Sequence, residues 1–233
     1  MKKFLLVLFS SLAISAEAAD LTGAGATFPY PIYSKWTSEY KNKTGEIVNY
    51  QSIGSGAGIK QIKAKTVDFG ATDMPLKEDE LTKDNLTQFP TVIGGIVISY
   101  NLKGIDKPLV LNGEVLAKIY NKEILSWDSE EIASLNPDIK LPKQNIIVIY
   151  RSDGSGTTFV FTEYLSKVSV RWATTIGSST TVKFPVGVGA KGNEGIAANI
   201  QQLNGAIGYV EYAYTKNNNI TVANLINKNN KVV

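Results

Sequence analysis

Histidine and cysteine are both absent from the 233 residues, and methionine occurs only twice. Without imidazole there is no Ser-His-Asp or Cys-His machinery, no histidine general base and no His-ligated zinc or haem. Without thiols there are no disulfides, no thiolate nucleophile, no Cys-held metal and no N-terminal cysteine to carry a lipid anchor. Charge of one sign is scarce as well. With 24 Lys+Arg against 21 Asp+Glu the formal charge is +3, well short of the basic bias of a nucleic-acid binder. Hydrophobic residues at 43% and aromatics at 9% are globular values and exclude wholesale disorder.

The first residues read as a leader. Lys2 and Lys3 precede an apolar run from Phe4 to Ile14, then Ala16-Glu17-Ala18. A basic head, a short hydrophobic stretch and an A-x-A end predict a secretory signal over 1–18, cleaved after Ala18. The run is too short for a membrane anchor, which needs about 20 apolar residues. An exported chain without cysteine suits the periplasm.

Downstream, short apolar runs alternate with glycine-rich turns and helical patterns. Ile32, Trp36 and Tyr40 mark one helix face, with Thr27 as candidate N-cap and Gly45 as stop. Ile47–Tyr50 and Val67–Asp73 read as strands, and a helix carrying Ile59 and Ile62 lies between them. Thr91–Asn101 reads as one long buried strand and Ile146–Tyr150 as another, and Ala206–Tyr214 reads as a strand. Helices are predicted around Val115–Tyr120, around Glu130–Leu135 and along Phe161, Tyr164, Leu165 and Val168. Strand, glycine loop and helix in repetition predict an α/β fold with largely parallel sheets.

Three loops share one design. Thr22–Phe28, Ile53–Gly58 and Arg151–Thr158 each set Gly, Ser or Thr at or near the start of a predicted helix. Glycine lets backbone N–H groups converge, the helix end adds free donors and partial positive charge, and hydroxyls add more. One such loop is an ordinary cap; three on one chain, one carrying Arg151, point to a tetrahedral oxyanion held by helix ends. Competing motifs are weaker. Gly187-Val188-Gly189-Ala190-Lys191-Gly192 matches G-x-G-x-x-G but lacks the first-turn βαβ context of a dinucleotide site, and it reads as a loop. No P-loop is present, neither Ser55 nor Ser155 stands in G-x-S-x-G, and the aspartates show no metal-loop spacing.

Four segments carry a resemblance. Leu21-Thr22-Gly23-Ala24-Gly25-Ala26-Thr27-Phe28-Pro29, Val67-Asp68-Phe69-Gly70-Ala71-Thr72-Asp73, Arg151-Ser152-Asp153-Gly154-Ser155-Gly156-Thr157 and Gly205–Tyr214 resemble the periplasmic phosphate-binding proteins of phosphate-specific ABC importers. The likeness runs from about Asp20 to about Ala223. It implies a periplasmic-binding-protein-like, two-lobed α/β fold that closes about a hinge on one inorganic phosphate ion. The implied contacts are Thr27, Phe28, Ser55 and Asp73 from the first lobe and Arg151, Ser155, Gly156 and Thr157 from the second. Phe28 and Gly156 would donate through backbone N–H, the hydroxyl residues through side chains and Arg151 through its fork, with Asp153 orienting that arginine. No cofactor is implied. The expected partner is an inner-membrane ABC permease, and the expected state is a monomer.

Family members continue well past the last motif, and their closing segment returns to complete the first lobe. The resemblance therefore implies an incomplete first lobe, with residues 19–90 as its N-terminal part and 91–233 as the second lobe. A truncated or split-gene product is the expectation. Two alternatives stand beside phosphate transport: a remnant that no longer binds, and a phosphatase or phosphoryl-transfer enzyme using the same cradle with Asp73 as base or nucleophile.

Overall fold

A computed structural model describes residues 20–105 and 107–233; the leader over 1–18 and its cleavage site lie outside the described residues. The chain opens with β1 (Leu21–Gly25), α1 (Tyr30–Thr44), β2 (Val48–Ser52), α2 (Ser55–Lys63), β3 (Phe69–Ala71) and α3 (Glu78–Asp84). These strands make a three-stranded parallel sheet in the order β2-β1-β3, with Gly23 opposite Tyr50 on one side and Phe69 on the other. Gly45, in the left-handed region at φ 81°, ends α1 with its N–H on the Lys41 carbonyl, as the sequence predicts.

The remainder builds a second sheet. It comprises β4 (Ile96–Tyr100), β5 (Val110–Asn112), α4 (Gly113–Tyr120), α5 (Glu130–Leu135), β6 (Ile147–Arg151), α6 (Gly156–Val168) and α7 (Val170–Thr175). There follow β7 (Val188–Ala190), α8 (Gly192–Gln202), β8 (Ala206–Glu211), α9 (Tyr212–Asn218), β9 (Thr221–Val222) and β10 (Asn224–Ile226). Five strands pair as β7-β6-β8-β4-β9, parallel from β7 through β8 and antiparallel around β4, while β5 and β10 form a separate parallel pair.

Side chains of the five-stranded sheet alternate between two cores, as a pleated strand requires. Val148, Ile207 and Tyr209 face a large cluster containing Trp127, Trp172, Leu116 and Phe161. Ile149, Ala206 and Val210 face a smaller one with Ile196, Ile200 and Tyr214 under α8 and α9. β8, covered on both faces, is buried at all six residues. The first sheet is much thinner: Ala24, Ala26 and Val67 are its buried apolar residues. The stripe predicted on α1 forms, but α1 buries none of its residues, and Trp36 stays 45% exposed. An apolar cleft of about 1090 Å³ runs past Tyr33, Trp36, Phe69, Phe89 and Ile93.

Two strands are shorter than the sequence suggests. Thr91–Gly95 is irregular and only Ile96–Tyr100 pairs, because Ile93, 96% exposed, finds no layer to pack against. Ala206–Tyr214 splits at Glu211, whose carboxylate accepts the Ala213 N–H at 2.8 Å and caps α9. The glycine loop at 187–192 gives β7 and the start of α8. Among the described residues no helix is long and apolar enough to cross a membrane.

Candidate anion-binding site

The two sheets meet where strand ends feed the N-termini of α1, α2, α6 and α8. Each helix end leaves backbone N–H groups without intrahelical partners and carries partial positive charge. Into this junction project most of the residues singled out in the sequence.

Ser55, the first residue of α2, donates its hydroxyl to Asp73 Oδ1 at 2.8 Å. From the other side the Gly156 N–H donates to the same Ser55 oxygen at 3.0 Å, and Thr157 Oγ1 donates to Asp73 Oδ2 at 3.3 Å. Asp73 is thus held by donors from both sheets. Its fit against α6 depends on glycine: a Cβ on Gly156 would lie 1.7 Å from Asp73 Oδ1. A second glycine seam lies alongside, where the Gly56 N–H donates to the Gly154 carbonyl at 2.9 Å. The glycines of these loops therefore serve loop-on-loop contact as well as donor convergence.

Arg151 ends β6 with its side chain 1% exposed, and forks onto Asp153 through Nε–Oδ1 at 2.7 Å and Nη2–Oδ2 at 2.5 Å. The Gly192 N–H also donates to Asp153 Oδ1, at 3.0 Å. A bidentate carboxylate fixes the plane of the guanidinium. The two aspartates differ electrostatically. Burial would raise the Asp153 carboxyl, but hydrogen bonding and charge from Arg151 outweigh it and hold the group below its ordinary value. At Asp73 burial wins: its pKa is raised despite donors from Ser55 and Thr157 and the charge of Arg151.

Ser155 caps α6, its hydroxyl oxygen accepting the Thr158 N–H at 3.0 Å, which leaves the hydroxyl proton free to donate. Thr27 does not cap α1, contrary to expectation. Pro29 holds the N-cap position and makes no side-chain cap bond, while the Thr27 hydroxyl turns to α8, where Asn193 donates to it from Nδ2 at 2.7 Å and from the backbone at 3.1 Å. Tyr214 fastens the same residue, its hydroxyl donating to the Thr27 carbonyl at 2.6 Å. The Phe28 ring lies over Gly94 and lines the apolar cleft, whereas the group expected of this residue is its backbone N–H, next to Thr27. The hydroxyl and glycine positions, Asp73 and the Arg151–Asp153 pair are brought to one junction.

Sequence reasoning missed Asn193, Tyr214 and Tyr209. Tyr209 lies in the main core yet accepts the Arg151 N–H at 3.1 Å and pairs with the Thr158 hydroxyl at 2.6 Å, tying β6 to α6. For Asn193 a signal existed. Gly192-Asn193 opens a helix after a glycine loop, the same design as the other three. Among the described residues no group of three or more His, Cys, Asp or Glu could hold a metal ion.

A family model described as a PBP superfamily domain matches residues 13–232. The chain belongs to the PBP superfamily. Within it, 54% identity over 225 residues relates the chain to the phosphate-binding protein PstS of Pasteurella multocida, covering 96% of this chain and 65% of that relative. The Haemophilus influenzae phosphate-binding protein PstS is 54% identical over 215 residues, covering 91% of this chain and 64% of that one. The chain therefore spans just under two thirds of the length of these relatives. Among solved structures, a putative phosphate ABC transporter substrate-binding protein from Clostridium perfringens, with bound phosphate, superposes at TM-score 0.71 and 21% identity over 92% of this chain and 83% of that one. At that identity the likeness is one of fold.

Proposed function

We propose that the chain binds one inorganic phosphate ion in the periplasm and delivers it, as a monomer and without chemical turnover, to an inner-membrane ABC permease. The carrying observation is the meeting of Ser55, Gly156, Thr157 and the Arg151–Asp153 pair around one half-buried carboxylate, Asp73. With Thr27, Phe28 and Ser155 these residues form the binding set, residues 19–90 contributing one lobe and 91–233 the other.

Phosphate offers four oxygens and little else, so affinity must come from many charge-assisted hydrogen bonds of roughly 1.5–3 kcal/mol each. Asp73 gives the set its selectivity. A carboxylate repels a fully ionised oxyanion but accepts a hydrogen bond from one that retains a proton, which phosphate does at neutral pH and sulfate does not. Similarity to relatives named phosphate-binding protein supports the same reading, and the basic, apolar leader supports export.

Isothermal titration of the purified protein with phosphate and with sulfate tests the proposal. A saturable one-to-one heat with phosphate and none with equal sulfate is expected; no heat with phosphate overturns it. Phosphate release from a chromogenic phosphate ester would overturn the claim of binding without turnover.

A further inference from the structure

Asn193 sits in the first turn of α8, fully buried, and bonds at every polar atom of its side chain. Its Oδ1 accepts the Glu211 N–H at 2.9 Å, which fixes the amide so that Nδ2 faces the junction. From there Nδ2 reaches Thr27 Oγ1 at 2.7 Å and Thr157 Oγ1 at 3.4 Å. The Asn193 backbone N–H adds a second donor to Thr27 Oγ1 at 3.1 Å. A threonine hydroxyl has two lone pairs and one proton. With two donors directed at its oxygen, Thr27 has its acceptor capacity filled, and its proton is left to point elsewhere.

We propose that Asn193 is a positioning residue for anion capture, holding the Thr27 hydroxyl as an obligate donor toward the ligand while bridging the first sheet to α8. The inference rests on the phosphate-binding reading and adds to it a residue that touches no ligand. It also accounts for a buried amide where an apolar residue would pack more simply. Asn193 lies between hydroxyls contributed by β1–α1 and by α6, so it sets the polarity of both while drawing the two sheets together.

A double-mutant cycle with Thr27→Val tests this by phosphate titration. Asn193→Leu removes the side-chain donor at similar volume and adds no charge; it should weaken phosphate binding about 10- to 100-fold, the effect of one charge-assisted hydrogen bond. In the Thr27→Val background the same change should cost far less. Equal losses in the two backgrounds overturn the proposal, as does an unchanged affinity in Asn193→Leu. Should that variant fail to fold, Asn193→Asp keeps the acceptor for Glu211 and is judged by the same comparison, with repulsion by the new charge cancelling between backgrounds. Backbone hydrogen exchange over residues 24–30 of the unliganded protein reads the bridge without a ligand. Faster exchange in the Asn193 variant supports the positioning role and equal exchange overturns it. If the wild-type protein binds no phosphate, the functional reading falls and the donor role with it, whereas phosphate binding with additive losses removes the Asn193 role alone.

Discussion

At the residue scale, two aspartates stand in the same junction with opposite tasks. Asp153 is taken up by Arg151, while Asp73 faces hydroxyls and a helix end, with no cation among the described residues bonded to it. An Asp73→Asn variant keeps the volume and one acceptor but can donate to sulfate. A preference for phosphate over sulfate of about 10⁴-fold would then shrink by about tenfold or more, measured by competitive titration. The same change should alter stability with a definite sign. Burial raises the folded-state pKa of Asp73 above 3.8, so the folded protein binds that proton more tightly than the unfolded chain. The contribution of Asp73 is fully present below 3.8 and is lost as pH rises through its raised value. Asp73→Asn should therefore melt higher than wild type near neutral pH, and the gap should close toward acid pH. A gap that widens on acidification would show that the donors around Asp73 outweigh its burial. Asp153 has the reverse sign: its contribution exists above 3.8 and fades as pH falls through its lowered value.

At the scale of elements, the loops were more legible than the strands. Glycine and hydroxyl residues at three strand-to-helix turns announce convergent donors through local chemistry alone, and those turns do converge. Strand ends and helix faces depend on what packs against them. The stripe Ile32, Trp36, Tyr40 correctly marks a helix, but periodicity cannot say whether a partner covers it. Thr91–Gly95 reads as strand but pairs with no strand among the described residues. Thr27 reads as an N-cap from its neighbours, and a residue 166 positions away claims its hydroxyl. The N-terminus of α6 offers an element-level test. Alanine at 156 favours the helix, yet its methyl would lie 1.7 Å from Asp73 Oδ1 and 2.7 Å from Ser55 Oγ. Gly156→Ala should leave the near-ultraviolet circular dichroism of the Trp127 and Trp172 core intact while separating α6 from Asp73. Loss of two charge-assisted contacts would weaken phosphate binding about 100-fold or more. Wild-type affinity in that variant would mean that the junction opens on binding and Asp73 moves away from α6.

For the whole molecule, the two sheets differ in what holds them. The five-stranded sheet has apolar clusters on both faces, with Trp127, Trp172 and Tyr209 fully buried, and each large side chain so buried contributes about 1.5–3 kcal/mol. The three-stranded sheet buries Ala24, Ala26 and Val67 and leaves Trp36, Phe89 and Ile93 along an open apolar cleft. Hydrogen bonds join them at the candidate anion site: Ser55 to Gly156, Gly56 to Gly154, and Thr27 to Asn193 and Tyr214. An anion bound between Ser55 and Gly156 would take over those donors and tie the two sheets together in place of their direct bond. Urea unfolding should therefore be stepwise without ligand, the Trp36 signal of α1 changing before that of Trp127 and Trp172, and Trp36→Phe should erase the early step. Phosphate at about 100 times its Kd stabilises the bound form by about 2.7 kcal/mol. Because the proposed site draws on both sheets, that energy should fall on the weaker one, and the early transition should move toward the late one until they merge. A single coincident transition in the absence of phosphate would show that the junction alone makes the two sheets one cooperative unit.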